Sequence, residues 1–337
     1  MNPKVSIIIL NWNGLKDTIE CLEYLKKITY PNYEVIVVDN ASKGNDADIL
    51  EEKYKDYIRL IRSKENLGFS EGNNVAIRKV IEEKESEYIL TLNNDTKVEP
   101  NFLNELIECA KRHPNAGSIQ PKMIFSWNSQ FIDSAGHLYS KNSLCFNRGA
   151  YEPVDKYNKE DEIIGCCAGA CLYKKEALKN IEIDNEYFDK NFFASCEDVD
   201  LGFRLQWSGW KSWYCPKAIV YHKRGATTGI RSSFIIYYSA RNQTWNFFKN
   251  FPNNFIFKNF LWFFIAEFSQ VILNLLRKKP IILKAKIDAY KNLGKILKKK
   301  KQIKKTVNFL EIEKFLVLKW RITAPFYSQF KKMINDK

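Results

Sequence analysis

The chain has 337 residues, 45% of them hydrophobic, and a formal net charge of +14. That length and apolar content fit one large or two modest globular domains with a substantial core. Its eight cysteines show no CxxC pair and no regular spacing, which excludes a disulfide framework and points to free thiols in a reducing cytosol, and the opening Met-Asn-Pro-Lys leaves no room for a signal peptide.

Val5 to Leu10 is a β-branched run that predicts a buried strand, broken by Asn11-Trp12-Asn13-Gly14. Leu15, Ile19, Leu22 and Leu25 then recur at helical spacing up to Tyr30-Pro31-Asn32. A second strand, Glu34 to Val38, ends in Asp39-Asn40. It is followed by a polar helix over 45–54, a short strand at Ile58 to Ile61, and a loop from Ser63 to Gly72. Val75 to Ile81 begins another helical stretch, which leads to Tyr88–Leu92, an apolar run suited to a strand buried on both faces. That run stops abruptly at Asn93-Asn94-Asp95-Thr96. Strands alternating with helices at this pitch imply right-handed βαβ units and a doubly wound sheet.

Three of the strands end in Asn or Asp, which places polar groups on the rim where open α/β sheets bind ligands. Residues 1–98 therefore read as a nucleotide-binding half. A carboxylate there beside two amides can hold a divalent cation against phosphates, because Mg²⁺ often takes only one or two protein carboxylates. A polar turn capping the next helix accounts for the same residues.

Residues 99–233 read as an acceptor-side half. Pro100 fits the first turn of a helix carrying Leu103, Leu106, Ile107 and Ala110, and Ile119 to Phe125 fits a strand. Residues 126–160 are irregular, polar and aromatic, and read as a surface excursion. Gly165 and Gly169 lie where a backbone approaches a ligand or another backbone closely. Glu197, Asp198 and Asp200 put three carboxylates in four positions, which resist simultaneous ionisation, so one with a raised pKa can act as a general base. An acidic first turn favoured by the helix dipole is the alternative. Ser212 to Tyr214 and Ala218 to Tyr221 predict two short strands separated by Pro216 and followed by His222. A lone histidine is more often structural than a ligand, although the basic loop Lys223-Arg224-Gly225 beside it can meet a diphosphate.

From about residue 234 the character changes, and 234–337 reads as a helical, membrane-associating region. Phe255 to Leu276 is strongly apolar, but Lys258, Glu267 and Asn274 interrupt it, which favours an interfacial or packed helix over a membrane span. Lysines from Lys278 to Lys301 then interleave with Ile281, Ile282, Leu283, Ile287, Leu293, Ile296 and Leu297. Such a basic amphipathic pattern binds anionic membrane surfaces at about 1 kcal/mol per well-placed Lys or Arg. A solvated helical hairpin resting on the rest of the chain fits the same pattern.

With these motifs assembled, the sequence resembles the inverting glycosyltransferases of family 2, in particular the rhamnosyltransferase-like branch of bacterial and archaeal polysaccharide assembly. Five blocks carry the resemblance: Val-Ser-Ile-Ile-Ile-Leu-Asn-Trp-Asn-Gly at 5–14, Val-Ile-Val-Val-Asp-Asn-Ala-Ser at 35–42, Asn-Leu-Gly-Phe-Ser-Glu-Gly-Asn-Asn at 66–74, Leu-Asn-Asn-Asp-Thr at 92–96 and Glu-Asp-Val-Asp-Leu-Gly-Phe-Arg at 197–204. The resemblance implies an α/β GT-A fold, a Rossmann-like mixed sheet flanked by helices, over residues 1–233. It implies that Asn11 and Trp12 line a base pocket, that Asp39 hydrogen-bonds a uracil or thymine ring, and that Asn66, Asn73, Asn93 and Asn94 bound the nucleotide and its sugar. Asp95 matches the last residue of the family's DxD motif, with His222 as a late ligand to the same Mg²⁺ or Mn²⁺. Asn93 stands where the motif has its first aspartate, so the site has fewer charged ligands.

Asp198 is the expected base, with Glu197 positioning the acceptor. The expected partners are a UDP- or dTDP-linked sugar donor, a glycan or polyprenyl-linked acceptor, and an anionic membrane surface, with no nucleic acid; the expected place is the cytoplasm, peripheral on the inner face of the cell membrane. Two other readings remain open: a catalytically silent member that binds nucleotide or membrane only, and a basic nucleic-acid-binding protein.

Overall fold

The computed structural model describes residues 2–225 and 232–317. Its first half winds as β1 (Val5–Asn11), α1 (Leu15–Leu25), β2 (Tyr33–Asp39), α2 (Asp46–Tyr54), β3 (Ile58–Arg62), α3 (Gly68–Glu83) and β4 (Tyr88–Leu92). These four strands are mutually parallel in the order β3-β2-β1-β4. The chain runs outward from β1 to β3 and then returns through α3 to the other side of β1, so the order reverses between β1 and β4. Ligands of open α/β sheets sit at the carboxyl ends of the strands flanking such a reversal.

The second half adds β5 (Thr96–Val98), α4 (Phe102–Arg112), β6 (Ala116–Phe125), β7 (Ile132–Ser134), β8 (His137–Tyr139), β9 (Cys145–Asn147), β10 (Asp161–Ile163), β11 (Ala170–Lys174), α5 (Lys175–Asn180), α6 (Glu197–Trp207) and β12 (Lys211–His222). β11 enters antiparallel beside β4 and makes the sheet mixed; β6, β12 and β10 follow it, with β5 paired to β12 and β7 to β6. Alternate residues of a strand face opposite sides. Val5, Ile7 and Ile9 accordingly pack with α1 and α4, while Ile8, Ile36 and Val38 pack with α3, α5 and α6.

Several boundaries differ from the sequence pattern, each for a local reason. The loop after β3 ends at Leu67, and α3 starts at Gly68, whose φ of +70° and close approach to the Phe193 carbonyl suit glycine. Pro100 lies one residue before the N-cap Asn101, outside the first turn of α4. Pro216 does not split its strand. β12 runs unbroken through it because the register against β6 shifts between Cys215 and Ile219, and a bulge accommodates the missing N–H. Residues 126–160 are not a surface excursion, since β7 joins the main sheet and Asp133, Ser134 and His137 are buried.

The chain closes with α7 (Ser233–Asn250), α8 (Asn253–Leu276), α9 (Ile281–Lys291), α10 (Leu293–Lys300) and α11 (Phe309–Glu313). Phe247, Phe251, Phe255 and Phe263 share one apolar cluster with Val199, Phe203 and Trp207 of α6. The remainder of the expected 234–337 region, residues 318–337, lies outside the described residues.

Candidate active site

A cavity of about 350 Å³ opens at the carboxyl ends of β1 and β4. Trp12, Asn66, Asn93, Asn94, Asp95, Glu197, Asp198 and His222 line it, so residues from five distant stretches of sequence meet in one cavity. Asn94 also braces its wall, donating to Thr18 Oγ1 at 2.9 Å. Its amide leaves no room at Gly14, where a Cβ would come within 2.5 Å of Asn94 Nδ2. Asn66 accepts from the Gly68 N–H at 2.8 Å and from Asn40 Nδ2 at 3.1 Å, which shapes the turn into α3.

Asn11, Asp39 and Asn73 are not among the lining residues. Asn11 and Asp39 pair across β1 and β2, and Asn11 Nδ2 donates to Asp39 Oδ1 at 2.9 Å, each one residue short of a lining position. Asn73 is buried in α3 and donates to the Phe69 carbonyl one turn earlier at 2.8 Å, a local role in place of the expected nucleotide contact.

Asp95 and His222 are neighbours because β5 pairs antiparallel with the end of β12, with Thr96 opposite His222. His222 Nε2 lies 3.1 Å from Asp95 Oδ1 and 3.3 Å from Asn93 Nδ2. On its far side Nδ1 lies 2.6 Å from Asp133 Oδ2. Burial alone would lower the imidazole's pKa, but Asp95 and Asp133 overcome this and push it up to about 10. The basic loop does not offer its cations to a diphosphate. Lys223 is held by Asp17 and Glu20 at 2.5 and 2.6 Å, and Arg224 by Asp133 at 2.9 Å, while Gly225 lines the cavity.

Glu197 and Asp198 open α6, the first buried and the second partly exposed to the cavity, yet they titrate in opposite directions. Burial, then the charge of Asp198, pushes Glu197 well above the usual carboxylate range, and its Oε2 meets no hydrogen-bonding partner among the described residues. Burial also works against ionised Asp198, but the His137 ring 3.4 Å away and the N–H groups of Ala168 and Val199 at 3.1 and 2.9 Å hold it below that range. The carboxyl with the raised pKa is therefore Glu197 and not the expected base. Asp200 points away from the cavity to Lys249 and Arg204.

The turn before α6 is conformationally costly. Phe193, Ser195 and Cys196 all have φ between +64° and +67°, a region L-residues adopt only where surrounding contacts enforce it. Those contacts come from α7. Asn242 Nδ2 donates to the carbonyls of Phe192, Ala194 and Ser195 at 3.0, 2.9 and 2.6 Å, and Asn246 Nδ2 donates to that of Cys196 at 2.9 Å. Asp133, His137 and Asn242 had no periodicity to mark them. The one available signal was scarcity, since the chain has three histidines and two of them, His137 and His222, contact candidate site carboxylates.

Residues 6–182, more than half of the chain, match the sequence profile of Glycosyl transferase family 2. The chain is 27% identical over 214 residues to N-acetylglucosaminyl-diphospho-decaprenol L-rhamnosyltransferase of Mycobacterium tuberculosis, a match covering 58% of this chain and 68% of that protein. Its fold is similar to that of GalNAc-T7, solved with UDP, GalNAc and Mn²⁺, with a TM-score of 0.62 at 14% identity. That similarity covers 84% of this chain and 54% of the other, so the chain spans about half the length of that relative. It is also similar to a mannosyltransferase from Pyrobaculum calidifontis, solved in complex with GDP-Man and Mn²⁺, with a TM-score of 0.53 at 14% identity over 100% of this chain and 88% of that one. With this profile match laid over the mixed sheet and its helices, the chain belongs to glycosyl transferase family 2 and has the GT-A fold.

Proposed function

We propose that the protein is an inverting hexosyltransferase that moves a sugar, with rhamnose the first candidate, from a UDP- or dTDP-linked donor to a glycan or polyprenyl-linked acceptor in cell-surface polysaccharide assembly. The observation that carries this reading is the meeting of two chemistries on one cavity: Asp95 with His222, and Glu197 with Asp198. An inverting displacement needs a base on the acceptor hydroxyl and stabilisation of the departing diphosphate.

Asp198 is ionised and accepts the hydroxyl proton. Glu197, kept protonated, donates a hydrogen bond that orients the acceptor. Asp95 Oδ1 and His222 Nε2, 3.1 Å apart at the cavity, are a carboxylate oxygen and an imidazole nitrogen, donor types that a divalent cation accepts. Asp95 and His222 would hold the cation, and a bound Mg²⁺ or Mn²⁺ would supply charge that stabilises the leaving diphosphate. Trp12, Asn66, Asn93 and Asn94 contact the nucleotide, and its base reaches toward Asn11 and Asp39 at the ends of β1 and β2.

Asp198→Asn tests the reading. The variant should melt as the wild type does and bind nucleoside diphosphate unchanged, while transfer falls by about 10²-fold or more in a screen of nucleotide sugars. Turnover near the wild-type value would remove Asp198 from the mechanism.

The same reading places the enzyme peripherally on the inner face of the membrane. α8 is the one helix among the described residues long and apolar enough to cross a membrane. Glu267, which made the helix costly to bury in lipid, faces the protein, where Lys286 Nζ lies 2.5 Å from it. The opposite face exposes Phe257, Leu261, Phe264, Phe268, Ile272 and Leu276. Ser269, on that face, donates its hydroxyl to the Ile265 carbonyl and so presents no unpaired polar group. An apolar stripe on a helix docked along its other side suits lying in the headgroup boundary better than spanning it.

A further inference from the structure

Asp133 lies on β7, in a stretch whose sequence reads as surface, yet it is only 1% exposed. A buried carboxylate is costly unless opposite charge and hydrogen bonds offset the loss of water. Both of its oxygens are committed: Oδ1 to Arg224 Nη1 at 2.9 Å, and Oδ2 to His222 Nδ1 at 2.6 Å. Arg224 is permanently charged and favours the ionised carboxylate, which can only accept hydrogen bonds. His222 Nδ1 must therefore keep its proton, so when a cation displaces the ring's other proton it is Nε2 that is left with a lone pair. Nε2 is the atom that faces Asp95 Oδ1, 3.1 Å away at the cavity wall.

We propose that Asp133 is a positioning residue for the cation site, orienting His222 and fixing its tautomer so that Nε2, beside Asp95, is the nitrogen presented to a divalent cation. This rests on the reading of Asp95 and His222 as cation ligands. Carboxylates behind metal-binding histidines set ring orientation and raise ligand basicity. The arrangement also bears on Asn93, the neutral amide where a second carboxylate would otherwise stand. Asp133 supplies negative charge one imidazole ring removed from the cation, and β7 brings it there by pairing with β6, itself paired to β12 with Phe125 opposite His222.

The test is Mn²⁺ binding to the full chain, read by the electron paramagnetic resonance signal of free Mn²⁺, with UDP or dTDP present, whichever raises the melting temperature more. Wild type should bind, and Asp95→Asn and His222→Ala should each abolish binding. No binding by wild type, or undiminished binding by both variants, overturns the cation reading and this proposal with it. Asp133→Asn should weaken Mn²⁺ binding by roughly 10- to 100-fold, while nucleotide affinity without metal stays at the wild-type value.

A second measurement needs no variant. The chain has only three histidines, His113, His137 and His222, so ¹⁵N-histidine labelling resolves each ring. In Mg²⁺- and nucleotide-loaded wild type, His222 should be protonated at Nδ1 and not at Nε2. Wild-type Mn²⁺ affinity in Asp133→Asn overturns the role of Asp133 and leaves the cation site standing, whereas an Nε2-protonated ring in the loaded wild type overturns both that role and His222 as a ligand through Nε2.

Discussion

At the scale of single residues, the two adjacent carboxylates that open α6 show how burial assigns different work to similar groups. Burial and the neighbouring Asp198 charge disfavour the ionised form of Glu197 and raise its pKa, whereas the His137 ring and two backbone N–H donors lower that of Asp198. The consequence for stability has a definite sign. A carboxyl whose folded pKa is raised lends stability that is fully present below its unfolded value, about 4.3 for Glu, and is lost as pH climbs through the folded value. Glutamine cannot ionise, so Glu197→Gln retains that contribution at every pH. Melting curves of the two proteins should nearly coincide at pH 4 and separate in favour of Glu197→Gln as pH rises to 8. The opposite, stability-gaining trend from Asp198 is common to both proteins and largely cancels. A constant difference across that range would show that Glu197 ionises in the folded protein much as it does in the unfolded chain.

At the scale of elements, legibility followed how much of an element's role is written in its own periodicity. β1, β2 and β4 are buried on both faces and declare themselves as apolar runs, and the Asn and Asp residues that end them mark the binding rim without any structure. β7 and β8 are three residues each and bury Asp133, Ser134 and His137, so their polar composition mimics a surface loop. Only the pairing of β7 with β6 reveals where they go, and pairing between distant segments has no local signature. α8 is an intermediate case. Its apolar length was plain, but which face Glu267 occupied was not, and that face decides between spanning a membrane and lying on one. Replacing Phe257, Leu261 and Phe268 together with serine leaves the inward Glu267–Lys286 pair intact, so the fold should hold. Co-sedimentation with vesicles rich in anionic lipid should fall by at least tenfold, since each side chain loses on the order of 1.5–3 kcal/mol of apolar transfer. Undiminished sedimentation would assign membrane binding to some other surface.

At the scale of the whole molecule, the helices after residue 232 bear on the candidate active site as much as on any membrane. Lys249 of α7 is fully buried and bridges Asp189 and Asp200 at 2.7 and 2.9 Å, and Lys299 of α10 reaches Asp189 at 2.8 Å. These carboxylates flank the strained turn that delivers Glu197 and Asp198, and the turn itself hangs on Asn242 and Asn246. Leaving one partner of a buried pair uncompensated costs about 3–5 kcal/mol, and a domain's entire stability is only about 5–15 kcal/mol. A fragment ending at residue 233 would lose both lysines and the asparagine donors. It would also expose Val199, Phe203 and Trp207, which pack against Phe247 and Phe251. The sequence suggests a boundary near 233 because composition changes there, but composition records what a segment is made of and not what it covers. The fragment 1–233 should therefore unfold without a cooperative transition in urea, whereas the full chain should show one. A single sharp transition for the fragment, with a slope matching the surface of a domain that size, would mean that residues 1–233 fold as a unit of their own and that the C-terminal helices are an attachment.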